Sequence, residues 1–298
     1  MARAVGVAMT DRLAVGVVED NRLTGRVHRF PESEDGFETL RGMPAEDIAA
    51  NIRQQIEAAM GDRPADVIGL GLPGIIRGGI IEDSPNLQQM KGMNIQLALA
   101  EGLRHSGREV PVVVSNDADV MAAGIAATRG QLDRLIRVWT LGNGIGYGRY
   151  PQSEGIWEGG HMVVTLDSKE TYCGCGGVGH LEGIMGNRAM RLRFLDMEPD
   201  EVFEEARRGD PRCAEFVKLW HRALAAATAT NIHMDGPGRF YITGPNSAYL
   251  DVTLLHVYMQ EMVKMSPLQG YVFEVVPGSE EIAIIGAAVN AQRAARGS

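Results

Sequence analysis

Only three cysteines occur in the 298 residues, at Cys173, Cys175 and Cys213. Three cannot build the disulfide framework of a small secreted domain. Lysine is nearly as scarce, with Lys91, Lys169, Lys218 and Lys264 alone. No apolar run approaches the roughly 20 residues that span a bilayer, so no membrane partner is expected. Residues 1–10 turn acidic at Asp11 before a long apolar segment develops, which argues against a secretory signal. Positive charge is in deficit: 29 Lys and Arg stand against 38 Asp and Glu, for a net charge of −9. Such a surface repels a phosphate backbone, so no nucleic-acid partner is expected. Arg188, Arg191 and Arg193 read as the solvated face of a helix. The expected setting is the cytoplasm of a reducing cell.

With 45% hydrophobic and 22% charged residues the chain is globular, and its length suits two domains. Short strands are expected at 5–8, 14–18 and 26–30, followed by a polar loop over 31–44. A helix opens at Ala45: Glu46 and Asp47 favour its positive end, and Ile48, Ile52 and Ile56 repeat at helical spacing. Gly61 stops it. A buried strand over 67–72 ends at Pro73-Gly74, and the polar stretch 77–94, which holds Pro85-Asn86, reads as a loop or short hairpin. A helix over 95–105 and a strand over 110–115 follow, then Asn116-Asp117 and an alanine-rich helix over 118–128. The second half gives strands at 136–141, 240–243 and 271–276 and helices at 212–231, 251–262 and 282–291. This succession is α/β. The expected division is 1–117, with 282–298 packing back on it, and 118–281.

Four constellations could carry chemistry. His161, Cys173, Cys175 and His180 lie within 20 residues, in the glycine-rich context Cys173-Gly174-Cys175-Gly176-Gly177-Val178-Gly179-His180. Two thiolates and two imidazoles suit a closed, structural zinc site, and the glycines let the chain turn back so that the ligands converge. A reduced pair in a tight loop beside two surface histidines is the other reading. His221, His233 and His256 have no such company. Asn116-Asp117-Ala118-Asp119 follows a buried strand, where a carboxylate can take a proton from a hydroxyl while an amide orients it; the same residues also suit a helix cap. The run 142–148 alternates glycines, enough backbone N–H groups for a phosphate cradle or simply a hairpin turn. Glu158 and Glu182 flank the cysteine loop and are either ligands for a polyol or solvated acids.

These features together resemble the ROK group of repressors, open-reading-frame proteins and sugar kinases, within the actin-like ATPase superfamily. The likeness is most specific at Glu158-Gly159-Gly160-His161 and from Cys173 to Glu182, and extends over essentially the whole chain. It implies a two-lobed actin-like ATPase (ribonuclease-H-like) α/β fold. It implies structural Zn2+ at His161, Cys173 and Cys175, with His180 where the family has a last cysteine. By the same resemblance Asp117 is the general base, and Asn86, Asn116, Asp117, Glu158, His161 and Glu182 hold a sugar. The phosphate side falls on Thr10, Asp11, Gly142, Asn143 and Gly144, with Gly244 near the adenosine. ATP and Mg2+ are the cofactors implied, and a homodimer the expected assembly.

The departures gather on the nucleotide side. The family's opening Gly-x-Asp-x-Gly-Gly-Thr-Lys reads here Gly6-Val7-Ala8-Met9-Thr10-Asp11-Arg12: Ala8 replaces the acid, and the double glycine and lysine are absent. Asp11 and Arg12 are the candidate substitutes. Asn143 stands where Thr is usual, Asp119 where Asn is usual, and Pro245 replaces a glycine, removing a backbone donor. The leading expectation is a glucokinase-like transfer of phosphate from ATP to a hexose hydroxyl. The alternatives are a sugar-binding pseudokinase or regulator, and a nucleotide-independent sugar-modifying enzyme. A DNA-binding repressor is not expected, because the likeness begins near residue 4.

Overall fold

The computed structural model describes the chain except residues 1, 10–11, 33–35, 106–107, 153–154, 156–157 and 298, and the side chains of 36–38, 104–105 and 108. In chain order the first elements are β1 (Ala4–Met9), β2 (Leu13–Glu19), β3 (Arg22–Phe30), α1 (Gly36–Gly42) and α2 (Ala45–Met60). Then come β4 (Val67–Leu72), β5 (Ile75–Arg77), β6 (Ile80–Asp83), α3 (Ile95–Gly102), β7 (Arg104–His105) and β8 (Arg108–Glu109). Next are β9 (Val112–Asn116), α4 (Asp117–Thr128), β10 (Ile136–Leu141) and β11 (Ile145–Tyr150). Four helices follow: α5 (Glu182–Met185), α6 (Asn187–Arg193), α7 (Pro199–Arg208) and α8 (Pro211–Asp235). The chain closes with β12 (Arg239–Thr243), α9 (Val252–Met262), β13 (Val272–Val275) and α10 (Glu280–Gly297).

Two compact units result. The first comprises Met1–Ile136, Gly148–Ile156 and Ser279–Ser298. Its sheet runs β3-β2-β1-β4-β9, with β1, β4 and β9 parallel and the β1-β2-β3 turns antiparallel. Alternation along β1 sorts its two faces. Val5, Val7 and Met9 join Ile48, Ile52 and Ile56 of α2 in one core, while Gly6 lies beneath Ile284 of α10. A methyl group at Gly69 would collide with the Ala287 carbonyl, and one at Gly286 with the Val120 carbonyl. Small residues therefore let α10 lie directly on the sheet and on α4.

That close packing explains where the unit ends. The division expected at 117/118 would have detached α4, but α4 packs along α10, and the chain through Ile136 stays with unit 1. The return of 282–298 onto the first unit begins slightly earlier, at Ser279.

The second unit comprises Arg137–Tyr147 and Trp157–Gly278. Its sheet runs β11-β10-β12-β13, with β10, β12 and β13 parallel. The core gathers Trp139, Leu141, Phe240 and Ile242 from the sheet with Trp220 and Leu224 from α8. Asp210 caps α8 by accepting the Cys213 N–H at 2.8 Å. Two buried indoles are satisfied among the described residues: Trp220 donates to the Met185 carbonyl at 3.2 Å and Trp139 to Thr228 Oγ1 at 3.1 Å.

Three expectations needed adjustment. The loop over 31–44 contains α1, the glycine run 142–148 leads directly into β11, and α7 fills a stretch that had no expected element, just after the arginine-bearing helix that is α6. Among the described residues no helix is long and apolar enough to cross a membrane.

Candidate functional site

In the first unit the candidate residues sit where β9 gives way to α4. Asn116 caps the helix, its Oδ1 accepting the Ala118 N–H at 2.8 Å, while its Nδ2 donates to the Gly74 carbonyl at 2.9 Å. Asp117 Oδ1 shares the same Ala118 N–H at 2.9 Å. The carboxylate is thus oriented at the positive end of a helix. Burial nevertheless raises the Asp117 pKa above its ordinary value, with the Ala118 N–H opposing the rise. Such a group holds its proton more readily than a solvated carboxylate, which suits a base that must accept one.

The neighbouring loops are tied to this point. Gly74, at φ +126°, packs against Asp83 and Ser84, and Ser84 Oγ donates to the Pro73 carbonyl at 2.8 Å. Asn86, two residues beyond, is half-buried. Asp119 acts as a strut rather than a ligand: it is buried and accepts the Arg149 N–H at 3.1 Å and Gln152 Nε2 at 3.2 Å. Thr10 and Asp11 lie outside the described residues. Arg12 is engaged with Glu280 at 2.5 Å, and Arg29 holds the other oxygen of Glu280 at 2.8 Å. The candidate substitute for the lost lysine is therefore committed to an acid at the start of α10.

The second unit carries Gly142, Asn143, Gly144, Glu158, His161, Cys173, Cys175, His180, Glu182 and Gly244. Residues 162–164 pair with 179–181, through Val164 N to Gly179 O at 2.8 Å and Leu181 N to Met162 O at 2.9 Å. That pairing brings His161 and His180 together, their rings 5.4 Å apart. Cys173 and Cys175 sulfurs lie 3.4 Å apart, and His180 Nδ1 lies 3.2 Å from Cys175 Sγ. His161, Cys173 and Cys175 each bring one donor atom within 4.8 Å of the others. Two thiols and an imidazole so placed fit zinc. His180 stands outside that trio, with its Nδ1 beside Cys175 Sγ and its ring stacked on that of His161. Burial pushes the Cys173 thiol up to about 11. Burial also acts upward on Cys175, but the Gly177 N–H, Cys173 and His161 outweigh it and bring its pKa down.

Glu182 connects this loop to the glycine run. Its Oε2 accepts the Ile145 N–H at 3.0 Å, and its Oε1 lies 3.8 Å from His161 Nε2. The Glu182 carboxylate raises the His161 pKa against the cost of burial. Glu158 lies 3.8 Å from the other ring nitrogen of His161. The expected trio Glu158, His161 and Glu182 is therefore one cluster. Gly142 packs on the Pro245 ring, so the proline that replaces a glycine has become a wall of the loop. Gly244, at φ +93°, packs against Leu141 at the turn leaving β12.

Sequence reasoning missed three groups. Asn187 and Asn246 bond around Gly142 and Asn143; each follows a glycine turn, the only local signal. Arg193 was expected on a solvated face. Instead its two Nη atoms grip both oxygens of Glu170, and its guanidinium lies 4.4 Å over the Tyr172 ring, directly before the first cysteine.

The ROK family model matches residues 10–294. The chain belongs to the ROK family. Among curated relatives it is 29% identical over 194 residues to a glucokinase from Pyrobaculum calidifontis, covering 60% of this chain and 62% of that one. It is 27% identical over 224 residues to a kanosamine kinase from Amycolatopsis mediterranei, covering 71% and 68%. The matched part thus spans about three-fifths to two-thirds of these relatives' length. The ROK hexokinase structure from Thermus thermophilus superposes with a TM-score of 0.79 at 23% identity, over 99% of this chain and 100% of that one. The expected two-lobed actin-like α/β fold is therefore the fold of this ROK chain.

Proposed function

We propose that this ROK protein is a sugar kinase, transferring the γ-phosphoryl group of ATP to a hydroxyl of a hexose or hexose derivative. The observation that carries the reading is the Asn116-Asp117 pair at the end of β9, with the carboxylate oriented by the Ala118 N–H and its pKa raised by burial. Asp117 takes the hydroxyl proton as the sugar oxygen forms its bond to phosphorus. The bond from phosphorus to the β-phosphate oxygen breaks, and ADP leaves. Asn86, Asn116, Glu158, His161 and Glu182 supply the polar contacts that hold the sugar. Gly142, Asn143 and Gly144 receive phosphate, and Gly244 lies on the adenosine side. Mg2+, when bound with ATP, neutralises charge on the phosphates.

Zinc would be held by His161, Cys173 and Cys175, with His180 as the fourth donor, and would fix the loop that carries His161 and leads to Glu182. That is a structural contribution. The relatives' names, glucokinase and kanosamine kinase, support a glucose-like or amino-sugar acceptor. The family resemblance supports a homodimer, which sedentation by analytical ultracentrifugation would resolve as one species of twice the 32.3 kDa chain mass.

A coupled assay of ADP release, with ATP and a panel of hexoses and amino sugars, tests the activity. Turnover that Asp117→Asn abolishes is the expected result; sugar binding without turnover on any donor would overturn it. One observation favours a second reading, a sugar-binding pseudokinase: Ala8 lacks a carboxylate and Arg12 is engaged by Glu280. Calorimetry with ATP separates the two, because a protein that binds sugar but no nucleotide is not an ATP-dependent kinase.

A further inference from the structure

Three asparagines form a chain of amides under the glycine loop. Asn246 is 2% exposed. Its Nδ2 lies 2.6 Å from Asn187 Oδ1 and 3.4 Å from the Gly142 carbonyl oxygen. Asn187 Nδ2 in turn lies 3.4 Å from Asn143 Oδ1. The Gly142 carbonyl also accepts the Asn187 backbone N–H at 3.1 Å, so this oxygen is fixed in place.

The direction of the chain follows from that carbonyl. A carbonyl oxygen only accepts, so Asn246 must present its NH2 group to Gly142; turned over, it would set oxygen against oxygen in a buried position. With Asn246 so oriented, Asn187 accepts through Oδ1, and its own NH2 group faces Asn143. Asn143 then accepts through Oδ1. What remains at its exposed end is an NH2 group, and among the described residues no acceptor takes it.

We propose that Asn187 and Asn246 are positioning residues that hold Asn143 as a one-way hydrogen-bond donor to a phosphoryl oxygen of the phosphate donor. This rests on the reading that residues 142–144 receive phosphate. A threonine hydroxyl, the usual family residue at this position, rotates and both donates and accepts, so it needs no relay. An asparagine amide is useful to an anion in only one of its two orientations. The relay selects that orientation before the anion arrives, so no binding energy goes into turning the amide.

A double-mutant cycle tests this. Asn187→Leu removes the relay without adding charge, and Asn143→Thr installs the residue that needs none. In the otherwise native protein, Asn187→Leu is expected to raise the KM for ATP about tenfold, equivalent to about 1.4 kcal/mol, and to leave the sugar KM unchanged. In the Asn143→Thr background the same substitution is expected to change the ATP KM less than twofold. Equal effects in the two backgrounds, or a parallel loss of sugar affinity, would overturn the relay, because Asn187 would then be acting on the fold.

If the native protein shows no turnover with any donor, the kinase reading fails and the cycle is read instead by calorimetry with inorganic tripolyphosphate. The same tenfold loss confined to the Asn143 background upholds the relay. No tripolyphosphate binding by the native protein overturns it.

Discussion

The Glu182 carboxylate accepts the backbone N–H of Ile145 at 3.0 Å. The first residue of α5 thereby fixes the start of β11, and the glycine loop that precedes it, while its other oxygen lies 3.8 Å from His161. Two loops distant in sequence are thus set by one side chain. Glu182→Ala leaves the Ile145 N–H without its acceptor and is expected to cost about 1–3 kcal/mol. Glu182→Gln keeps an acceptor there and should cost less, yet it removes a carboxylate from the proposed sugar cluster. Urea midpoints for both variants, with sugar KM values, check the pair: the alanine variant should be the less stable, and both should bind sugar more weakly.

Asp117→Asn is expected to lower kcat by about 10²–10⁴-fold, the usual contribution of a general base, with a smaller change in sugar KM. Because burial raises the folded-state pKa above its ordinary 3.8, the acid limb of kcat should lie above that value. The sign for stability runs the other way. A raised folded pKa favours the folded state below the unfolded value, and that advantage is lost as pH rises through the folded pKa. At neutral pH the ionised carboxylate is therefore a liability, and Asp117→Asn should melt higher than the native protein. The asparagine oxygen still accepts the Ala118 N–H. Thermal unfolding at pH 7.5 and again near pH 4 checks this, since the gain should shrink in acid.

His221 supplies a different pH dependence. Its ring lies buried between α8 and α9, with Nδ1 2.8 Å from the Val217 carbonyl and Nε2 2.8 Å from the Asp251 N–H. Nδ1 must donate and Nε2 must accept, so the ring is neutral in one tautomer. Burial lowers its pKa from 6.5, against the pull of the Val217 carbonyl and Asp251. The unfolded chain therefore binds the proton first. The stabilisation is complete above about pH 6.5 and declines as pH falls toward the folded pKa. His221→Gln should flatten this part of the pH profile, at a cost of about 1–3 kcal/mol at pH 8 from imperfectly matched partners. Urea unfolding at pH 8 and pH 5.5 measures both effects.

What the sequence disclosed and what it hid have a common physical explanation. The isoleucines at 48, 52 and 56, and the strands ending at Leu72 and Leu141, are written in local periodicity and appear where expected, while the strand expected over 110–115 runs from Val112 to Asn116. The glycine and cysteine motifs are likewise local. The relay is not: Asn187 lies 44 residues from Asn143 and 59 from Asn246, and no spacing rule joins them. The assignment of α4 to the first unit depends on a close helix contact at Gly124 and Gly286, over 160 residues apart. Arg12 could be recognised as a lone positive charge near a lost lysine, but its partner Glu280 is 268 residues away.

Arg193 offers the sharpest test of how the cysteine loop is held. Its guanidinium takes both oxygens of Glu170, an acid only 11% exposed at its side chain, and covers the Tyr172 ring. The Glu170 carbonyl in turn accepts the Gly179 N–H at 2.7 Å, so the pair anchors both ends of the segment from Cys173 to His180. Removing one partner of this largely buried pair is destabilising, toward the about 3–5 kcal/mol of a fully buried one, because the other charge is left without compensation. Arg193→Ala is therefore expected to unfold the loop or the unit. Arg193→Lys keeps the charge and loses the planar fork and the ring stacking. The lysine variant should stay folded, melt lower, and release the zinc proposed at His161, Cys173 and Cys175 to a chromogenic chelator several-fold faster than the native protein. Glu170→Gln should accelerate release in the same direction. Unchanged release rates in both, with a lowered melting temperature, would mean that the brace supports the helix α6 alone and leaves the metal loop to its own ligands.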